Sequence, residues 1–586
     1  MYTDNNKDFM TLLENDSNVS YTENGAAGYR TTRNALLDFS FQLTSMRNKT
    51  DEEITEAWAK VLRDNSIDFI TKFKYIFYVR DILQGMGERR TGRLLLKSTA
   101  LKYPESTMAI LHLIPVYGRW DDILCLYGIH TRIDRAITDF IKQTLIADCE
   151  NAKTGKSTTL LAKWLPSVNS HCKETARNGH AMAMRLGLSD RDYRKTLSAL
   201  REYLNIVECN MSAKNYAKID YSKVPSLAAL KYKKAFMRND MDRYQKYLDA
   251  LTAGDKSVKV NAATTMPHEI LHKYNMINRY DFGWGGRGRR GGREDALLEA
   301  AWKAMMKNAP EISSTIVVCD SSGSMMTHVG GTNIQAIEIS NALAIYFAER
   351  LTGPFKDKFI TFSSSPEFVN LTSCHTLHEK LVEASRYDDC SNTNLKAVFD
   401  MILATAQTHN LKQQDLPANV LIISDMEFDS VASNQYFDSA TSSQCFNSVT
   451  SNQCFDSAAS SRYWGYQVPQ DQTKLFDAIA AKYEAAGYKM PKLIFNNVCS
   501  RTGTIPIIQN ENGVVLISGF SKNIIQMIMS EEVDPWNALL SVLNGPRYDE
   551  VANVLLSTSH KDNVAKKAVN EPQKRMDWNE AISKLI

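Results

Sequence analysis

Residues Ser314–Ser324, STIVVCDSSGS, decide how the second half of this 586-residue chain is read. Ser314–Cys319 is short, apolar and β-branched, as a strand buried on both faces requires, and it ends on Asp320-Ser321-Ser322-Gly323-Ser324. Three more runs share that grammar: Lys358–Phe362 (KFITF), Asn419–Ser424 (NVLIIS) and Lys492–Val498 (KLIFNNV). Helical stretches such as Asn333–Leu351 and Asn394–Thr408 lie between them. Buried strands alternating with helices predict an open, doubly wound, Rossmann-like α/β sheet. A later pair, Pro506–Gln509 and Val514–Ser518 around Asn512-Gly513, predicts an antiparallel addition or a final strand.

In such a sheet ligands sit beyond the carboxyl ends of the strands, where the loop after Cys319 falls. Alternate loop residues Asp320, Ser322 and Ser324 offer one carboxylate and two hydroxyls, and Gly323 permits a tight turn. Hard oxygen donors of this kind suit a divalent cation, Mg2+ first, with Mn2+ or Ca2+ as alternatives. Further oxygen stands at comparable positions: Thr393 in Ser391-Asn392-Thr393-Asn394, and Asp425 directly after Asn419–Ser424. The pattern resembles the von Willebrand factor A domain, whose metal-ion-dependent adhesion site combines DxSxS with a loop threonine and an aspartate after a later strand. The resemblance implies that Asp320, Ser322, Ser324, Thr393 and Asp425 form a metal shell, directly or through water. It also implies that a partner's carboxylate completes the coordination.

Upstream, the grammar is helical. Glu53–Asp64, Ile67–Leu83, Arg89–Lys102, Ile133–Asp148, Arg191–Asn210 and Lys231–Leu251 carry apolar residues at three- and four-residue spacings, broken by turn signals such as Pro115-Val116-Tyr117-Gly118. An all-α, HEAT-like array of paired helices follows, whose long surfaces can hold an extended partner. Charge divides with the grammar. Residues 1–310 hold 48 Lys+Arg against 36 Asp+Glu, leaving 21 against 30 for residues 311–586, and residues 151–250 alone hold 19 against 9. That asymmetry points to a polyanion on the helical half. Lys231, Lys233, Lys234, Arg238, Arg243 and Lys246, interleaved with Tyr232, Phe236, Tyr244 and Tyr247, read as one helix with cations for phosphates and rings for stacking. Between the halves, residues 280–293 are glycine-rich and carry Arg287, Arg289, Arg290 and Arg293, an RGG-like linker suited to single-stranded RNA.

Other features bound the reading. Four tandem nonapeptides, Phe428–Tyr436, Phe437–Cys445, Phe446–Cys454 and Phe455–Tyr463, form a serine-rich insertion that begins three residues after Asp425, on the expected metal face. Nine residues advance a helix by about two and a half turns, so the phenylalanines cannot share one helical stripe. Ten cysteines without a CxxC pair predict reduced, structural thiols. His268-Glu269-Ile270-Leu271-His272 has the HExxH form of a zinc protease, but no third ligand stands nearby in the sequence. Asp121-Asp122 after Trp120 reads as a helix cap. There is no phosphate-binding Gly-rich loop with Lys-Ser/Thr and no nucleophile elbow. The longest apolar runs fall short of a membrane span and the first residues lack a secretory pattern, so a cytoplasmic protein with no membrane contact is expected.

A helical array followed by this domain resembles the Ro ribonucleoprotein (TROVE-module) architecture, and an uncharacterised group with the same two-part layout more closely. The strings that carry the likeness are Tyr78–Arg90 (YVRDILQGMGERR), Tyr117–Leu124 (YGRWDDIL), Lys163–Pro166 (KWLP), Ile219–Ser226 (IDYSKVPS), Leu421–Phe428 (LIISDMEF) and Ser518–Ser521 (SGFS). The chain then divides into a flexible N-terminus (1–22), a helical domain (23–279), a linker with a connecting helix (280–310), an A-type domain (311–530, insertion 428–463) and a C-terminal helical segment (531–586). The resulting expectation is a non-enzymatic scaffold for small non-coding or misfolded RNA, without DNA specificity, bearing a metal-dependent partner site. The alternative is a protein-interaction adaptor with no RNA role.

Overall fold

Six strands arrange themselves around the segment that opened the reading. β1 (Thr315–Asp320), β2 (Lys358–Phe362), β3 (Glu367–Asn370), β4 (Asn419–Ser424), β5 (Lys492–Asn497) and β6 (Val514–Ser518) form one sheet in the order β3-β2-β1-β4-β5-β6. All neighbours are parallel except β3, which runs antiparallel to β2. This computed structural model describes residues 17–262, 264–274, 294–307, 309–362, 365–387, 394–429, 475–506, 513–529 and 534–564. The β-branched runs are buried because helices cover them: every residue of β6 is buried, as is every residue of Val420–Ser424. β3 leaves Glu367, Phe368 and Asn370 exposed and ends the sheet as an edge strand; the sequence reading did not include it. Val514–Ser518 is the final parallel strand, which decides between the two expectations for that segment.

The crossover from β1 to β2 runs through the helix Ala336–Ala348, in which every residue is buried. That helix packs on the sheet with one face and on the helix Pro267–Lys273 with another. It is therefore buried on every face, and its polar residues have internal partners: Glu338 meets His272 and Ser340 meets Cys319.

The helical region begins with Ala35–Phe41 and continues through Asp51–Arg63, Phe69–Arg80, Arg89–Lys102, Thr131–Lys153, Lys173–Leu186, Asp190–Tyr203, Ser226–Asn239 and Met241–Thr252. Local chemistry sets the bounds. Thr50 and Glu53 exchange capping hydrogen bonds at the start of one helix, and Gly187 closes another in the left-handed conformation at φ 72°. Two expected helices are each divided. Lys231–Leu251 breaks at Asp240, whose backbone leaves helical geometry and whose carboxylate accepts from Tyr221 Oη at 2.6 Å and Arg243 Nη1 at 2.8 Å. Arg191–Asn210 stops at Tyr203, with Asn205 in the left-handed region at φ 50°, before a short helix Val207–Ser212.

The two regions interlock at both ends of the chain. The flexible N-terminus expected through residue 22 contains a strand, Val19–Tyr21, paired with Ala27–Tyr29 in an antiparallel ribbon. Tyr29 and Ile505 exchange backbone hydrogen bonds of 2.7 and 2.8 Å, which fastens the ribbon to the loop after β5. Only glycine fits at position 28: a Cβ there would stand 2.8 Å from the Ile505 carbonyl oxygen. Next, Thr44 donates to the Asn497 carbonyl at 3.1 Å and Ser45 to that of Ser500 at 2.8 Å, so the first helices sit on the carboxyl ends of β5 and β6. At the other end, helices Pro535–Leu543 and Asp549–Val564 return to pack on Phe69–Arg80. There Tyr548 stacks on Tyr117 with ring centroids 5.7 Å apart, and Arg547 pairs with buried Asp81 at 2.8 Å.

Several strings quoted above have structural duties at this junction. Asp122, 1% exposed, receives Arg80 at 2.7 Å and Arg93 at 2.6 Å and also caps its helix by accepting from Arg119 N. Removing one member of such a buried set typically costs about 3–5 kcal/mol, because the remaining charge is stranded. Gly85 presents its carbonyl to Ser521 Oγ at 2.8 Å, and Glu88 pairs with Arg47 at 2.7 Å.

Candidate metal centre and basic cleft

Register builds the metal face. β1 and β4 are adjacent and parallel with Cys319 opposite Ile423, so Asp320 and Ser424 end the two strands side by side and Asp425 lies one residue beyond. Ser424 Oγ donates to Asp320 Oδ2 at 2.6 Å, and the Ser322 amide donates to Asp320 Oδ1 at 2.9 Å. Ser322 and Ser324 bring their hydroxyl oxygens within 3.0 Å of each other. Four of the five expected ligands thus belong to one cluster: Asp320, Ser322, Ser324 and Asp425. Thr393 lies outside the described residues.

The cluster is buried, and two carboxylates share it. Asp320 and Asp425 are 0% and 1% exposed. Burial pushes both carboxyls upward from the ordinary range; the Asp320 charge adds to the rise at Asp425, while hydrogen bonds from Ser322 and Ser424 oppose it at Asp320. Asp425 Oδ2 has no hydrogen-bond partner among the described residues. An orphaned carboxylate oxygen beside a second buried carboxylate and two hydroxyls is a donor set that a hard divalent cation fits. No group of three or more His, Cys, Asp or Glu side chains suited to a metal occurs among the described residues, so the described part of this candidate is two carboxylates and their hydroxyl neighbours.

Four residues here, Met426, Glu427, Arg501 and Glu23, carry no functional assignment from the sequence. Met426 takes φ 66°, a left-handed turn that follows Asp425 at once and precedes buried Glu427. Glu427 accepts from the amides of Glu23, Arg501 and Thr502 at 2.8, 2.9 and 3.0 Å. Arg501 brings Nη1 to 3.5 Å from Asp425 Oδ2, and its Nε donates to Glu23 Oε2 at 2.7 Å. A signal for Arg501 existed: it follows the strand run Lys492–Val498 and so falls at the same end of the sheet as Asp320. Nothing in the sequence connected Glu23 to that end.

Phe428 opens the nonapeptide insertion and is buried against Phe362, Phe476 and Phe495, while its carbonyl accepts from Thr22 Oγ1 at 2.6 Å. The insertion beyond Asp429 lies outside the described residues.

The basic set fares differently. Its residues belong to two helices, Ser226–Asn239 and Met241–Thr252, rather than one. Phe236, Tyr244 and Tyr247 are buried and cluster with Tyr221, so these rings are core rather than stacking platforms. Tyr232 is half-buried and directs its hydroxyl to Glu208. Lys233 is paired with Asp295, and Arg243 is held by Asp240 and the carbonyls of Tyr216 and Ile219. Lys231, Lys234, Arg238 and Lys246 are exposed. Arg287, Arg289, Arg290 and Arg293 lie outside the described residues.

A second feature draws most of its lining from residues 151–250, a segment of high positive charge, with Asp121, Tyr127 and Glu208 also in its wall. An open cleft of about 1080 Å³ is lined by Lys163, Trp164, His171, Arg185 and Arg201 among others. Arg201 shapes it by donating to the carbonyls of Ala162 and Leu165 and to Ser167 Oγ at 2.7–2.8 Å, which fixes the Lys163–Pro166 string. Arg185 lies over the Tyr127 ring at 4.2 Å and Arg119 over Trp164 at 4.0 Å. These are cations stacked on aromatic faces at the wall of a groove.

The HExxH residues have structural partners. His272 Nδ1 meets Glu338 at 3.0 Å, Glu269 accepts from the Met266 amide at 2.9 Å, and buried His268 packs edge-on to Phe520. The seven described cysteines are free. No described helix is long and apolar enough to cross a membrane.

The molecule is thus a helical region joined to a mixed α/β sheet with an acidic cluster at its carboxyl edge. Residues 128–314 match a family described as a domain of unknown function, DUF2828, and residues 314–577 match a second domain of unknown function, DUF7788. An uncharacterized protein of Acanthamoeba polyphaga mimivirus is 29% identical over 614 aligned positions, covering 97% of this chain and 95% of that protein. Among solved structures, the Ro (RSR) protein of Deinococcus radiodurans aligns over 87% of this chain and 93% of its own, with a TM-score of 0.39 and 14% identity.

Proposed function

We propose that the protein is a non-enzymatic RNA-binding scaffold whose sheet is a von Willebrand factor A-type domain with a divalent-cation site for a partner's carboxylate. The observation that carries the metal part is the convergence of Asp320, Ser322, Ser324 and Asp425 with an orphaned oxygen on Asp425. The strand order, with one antiparallel edge strand, supports the A-type reading, and the sequence resemblance supports HEAT-like pairing of the helices. A cation bound there would supply Lewis-acid attraction for an incoming carboxylate; this chain's part is to hold the oxygens.

The RNA part rests on the charge asymmetry between the halves and on the cleft, where Lys163 and Arg185 stand with Trp164 and Tyr127. Phosphate-led binding must weaken steeply with salt. A filter-binding series with 3′-tailed structured RNA from about 50 to 200 mM salt tests it. Affinity that is absent at low salt removes the RNA role and leaves the adaptor reading, which the internal pairing of Lys233 and Arg243 favours.

A further inference from the structure

The metal face already contains a cation. Arg501 Nη1 stands 3.5 Å from Asp425 Oδ2, 3.3 Å from the Ser324 carbonyl oxygen and 3.2 Å from Thr327 Oγ1. Its other side reaches Glu23 on the N-terminal ribbon, with Nε donating at 2.7 Å. The guanidinium therefore bridges Asp425 Oδ2, which has no hydrogen-bond partner among the described residues, and a carboxylate that arrives from more than 400 residues away in sequence.

The bridge is built rather than incidental. Buried Glu427 accepts from the Arg501 amide through Oε1 and from the Glu23 amide through Oε2, so one carboxylate fixes the backbones of both partners. Asn24 Nδ2 adds a 2.6 Å hydrogen bond to the Glu427 carbonyl, and Thr22 holds that of Phe428. Close approach of Gly28 to Thr504 and Ile505 keeps the ribbon at this distance.

We infer that Arg501 is a resident counter-cation of the metal site, competing with a divalent ion for Asp425, and that Glu23 is the acceptor to which it yields. Cation loading and docking of the ribbon are then coupled. The inference rests on the metal reading above. Like charges at short range in a buried, low-dielectric setting repel strongly, so a divalent ion beside Asp425 pushes the guanidinium toward Glu23. By linkage, whatever strengthens the Glu23–Arg501 pair strengthens cation binding, and cation binding strengthens the hold on the ribbon. Glu23 would act as a latch tuned by the occupancy of the site.

Calorimetric titration of the full chain with MnCl2 tests this, beside hydrogen exchange of residues 19–29. Arg501→Met should bind Mn2+ about ten-fold tighter than the parent, and Glu23→Gln about three-fold weaker. Arg501→Lys keeps the charge and should stay within about two-fold of the parent; a ten-fold gain in this variant too would trace the effect to a loosened loop and overturn the proposal. Saturating Mn2+ should slow exchange at the Glu23 and Tyr29 amides in the parent and leave it unchanged in Arg501→Met. Equal or weaker Mn2+ affinity in Arg501→Met also overturns it. If the parent binds Mn2+, Asp425→Asn does not and Arg501→Met matches the parent, the metal reading stands and this inference alone falls. If neither parent nor Arg501→Met binds Mn2+ while both keep their thermal midpoint, both fall.

Discussion

The carboxyl ends of the strands stand out in the sequence by motif and the basic stretch Lys231–Leu251 by residue type, and the structure treats them differently. At the sheet edge, alternate loop residues and a distant aspartate converge because parallel register leaves them no other place: Cys319 is opposite Ile423, and the chain ends of β1 and β4 carry Asp320 and Asp425 together. On the helices, the same alternation of cations and rings resolves into a surface and a core. Phe236, Tyr244 and Tyr247 turn inward, and only some of the cations are free to meet a partner. A pattern tied to strand register fixes where side chains go; a pattern of residue types on a helix fixes only that one face is buried.

The contrast can be broken by experiment. The largest effect is expected at the sheet edge: Asp425→Asn should reduce Mn2+ affinity by a hundred-fold or so or abolish it, read by calorimetry, while leaving RNA affinity unchanged. A variant that still binds as the parent does would separate Asp425 from the site. Next, Phe236→Ala should cost about 3–5 kcal/mol in denaturant unfolding, since it deletes a fully buried ring, and should leave salt-dependent RNA binding of the folded fraction unaltered. A stable Phe236→Ala protein with lost RNA binding would return the ring to a stacking role.

Legibility followed the same division. The runs at Lys358–Phe362 and Asn419–Ser424 are strands over the expected residues, and Arg89–Lys102 is a helix over the expected span. Length and β-branching suffice for the two buried strands, and the three- and four-residue spacing of apolar residues suffices for the half-buried helix. Asp240 was not legible as a helix break, because its reason is a tertiary partner, the Tyr221 hydroxyl. Of the proposed metal ligands, Asp320, Ser322, Ser324 and Asp425 are legible from the DxSxS motif, the strand end and the resemblance to the A-type domain. Glu427 and Glu23 could not, since a buried carboxylate that clamps two distant backbones leaves no periodic trace. The ribbon Val19–Tyr21 was hidden for a related reason: three residues carry too little pattern, and its stability comes from Ile505 and Phe428.

Two smaller effects sharpen the picture of the helical region. Lys163→Glu combined with Arg185→Glu should weaken RNA binding by about ten-fold at low salt and flatten the salt slope by about two phosphates. Lys233→Glu, which sets a like charge against Asp295, should act mainly on thermal stability. The reverse ranking would place the RNA surface on the Ser226–Asn239 helix. Smallest is a pH term at the junction. Burial, then Arg47 and His272, holds His268 down at about 3, below the usual 6.5. The unfolded chain takes up a proton there below pH 6.5 and the folded chain does not, so stability contributed by this group falls as pH drops from 6.5 toward 3. His268→Leu should show a shallower acid loss over that window, followed by urea unfolding; an unchanged slope would put the acid sensitivity elsewhere, with Glu269, whose carboxyl burial pushes upward, the nearest candidate.

The central claim is that oxygens from two strand ends hold a divalent cation at the sheet edge. The most direct test is Mn2+ electron paramagnetic resonance on the full chain and on Asp425→Asn, with Mg2+ as competitor. The account predicts one Mn2+ bound per parent chain, displaced by Mg2+, and free aqueous Mn2+ in the variant. Identical spectra of free Mn2+ in both, or equal binding by both, would contradict it.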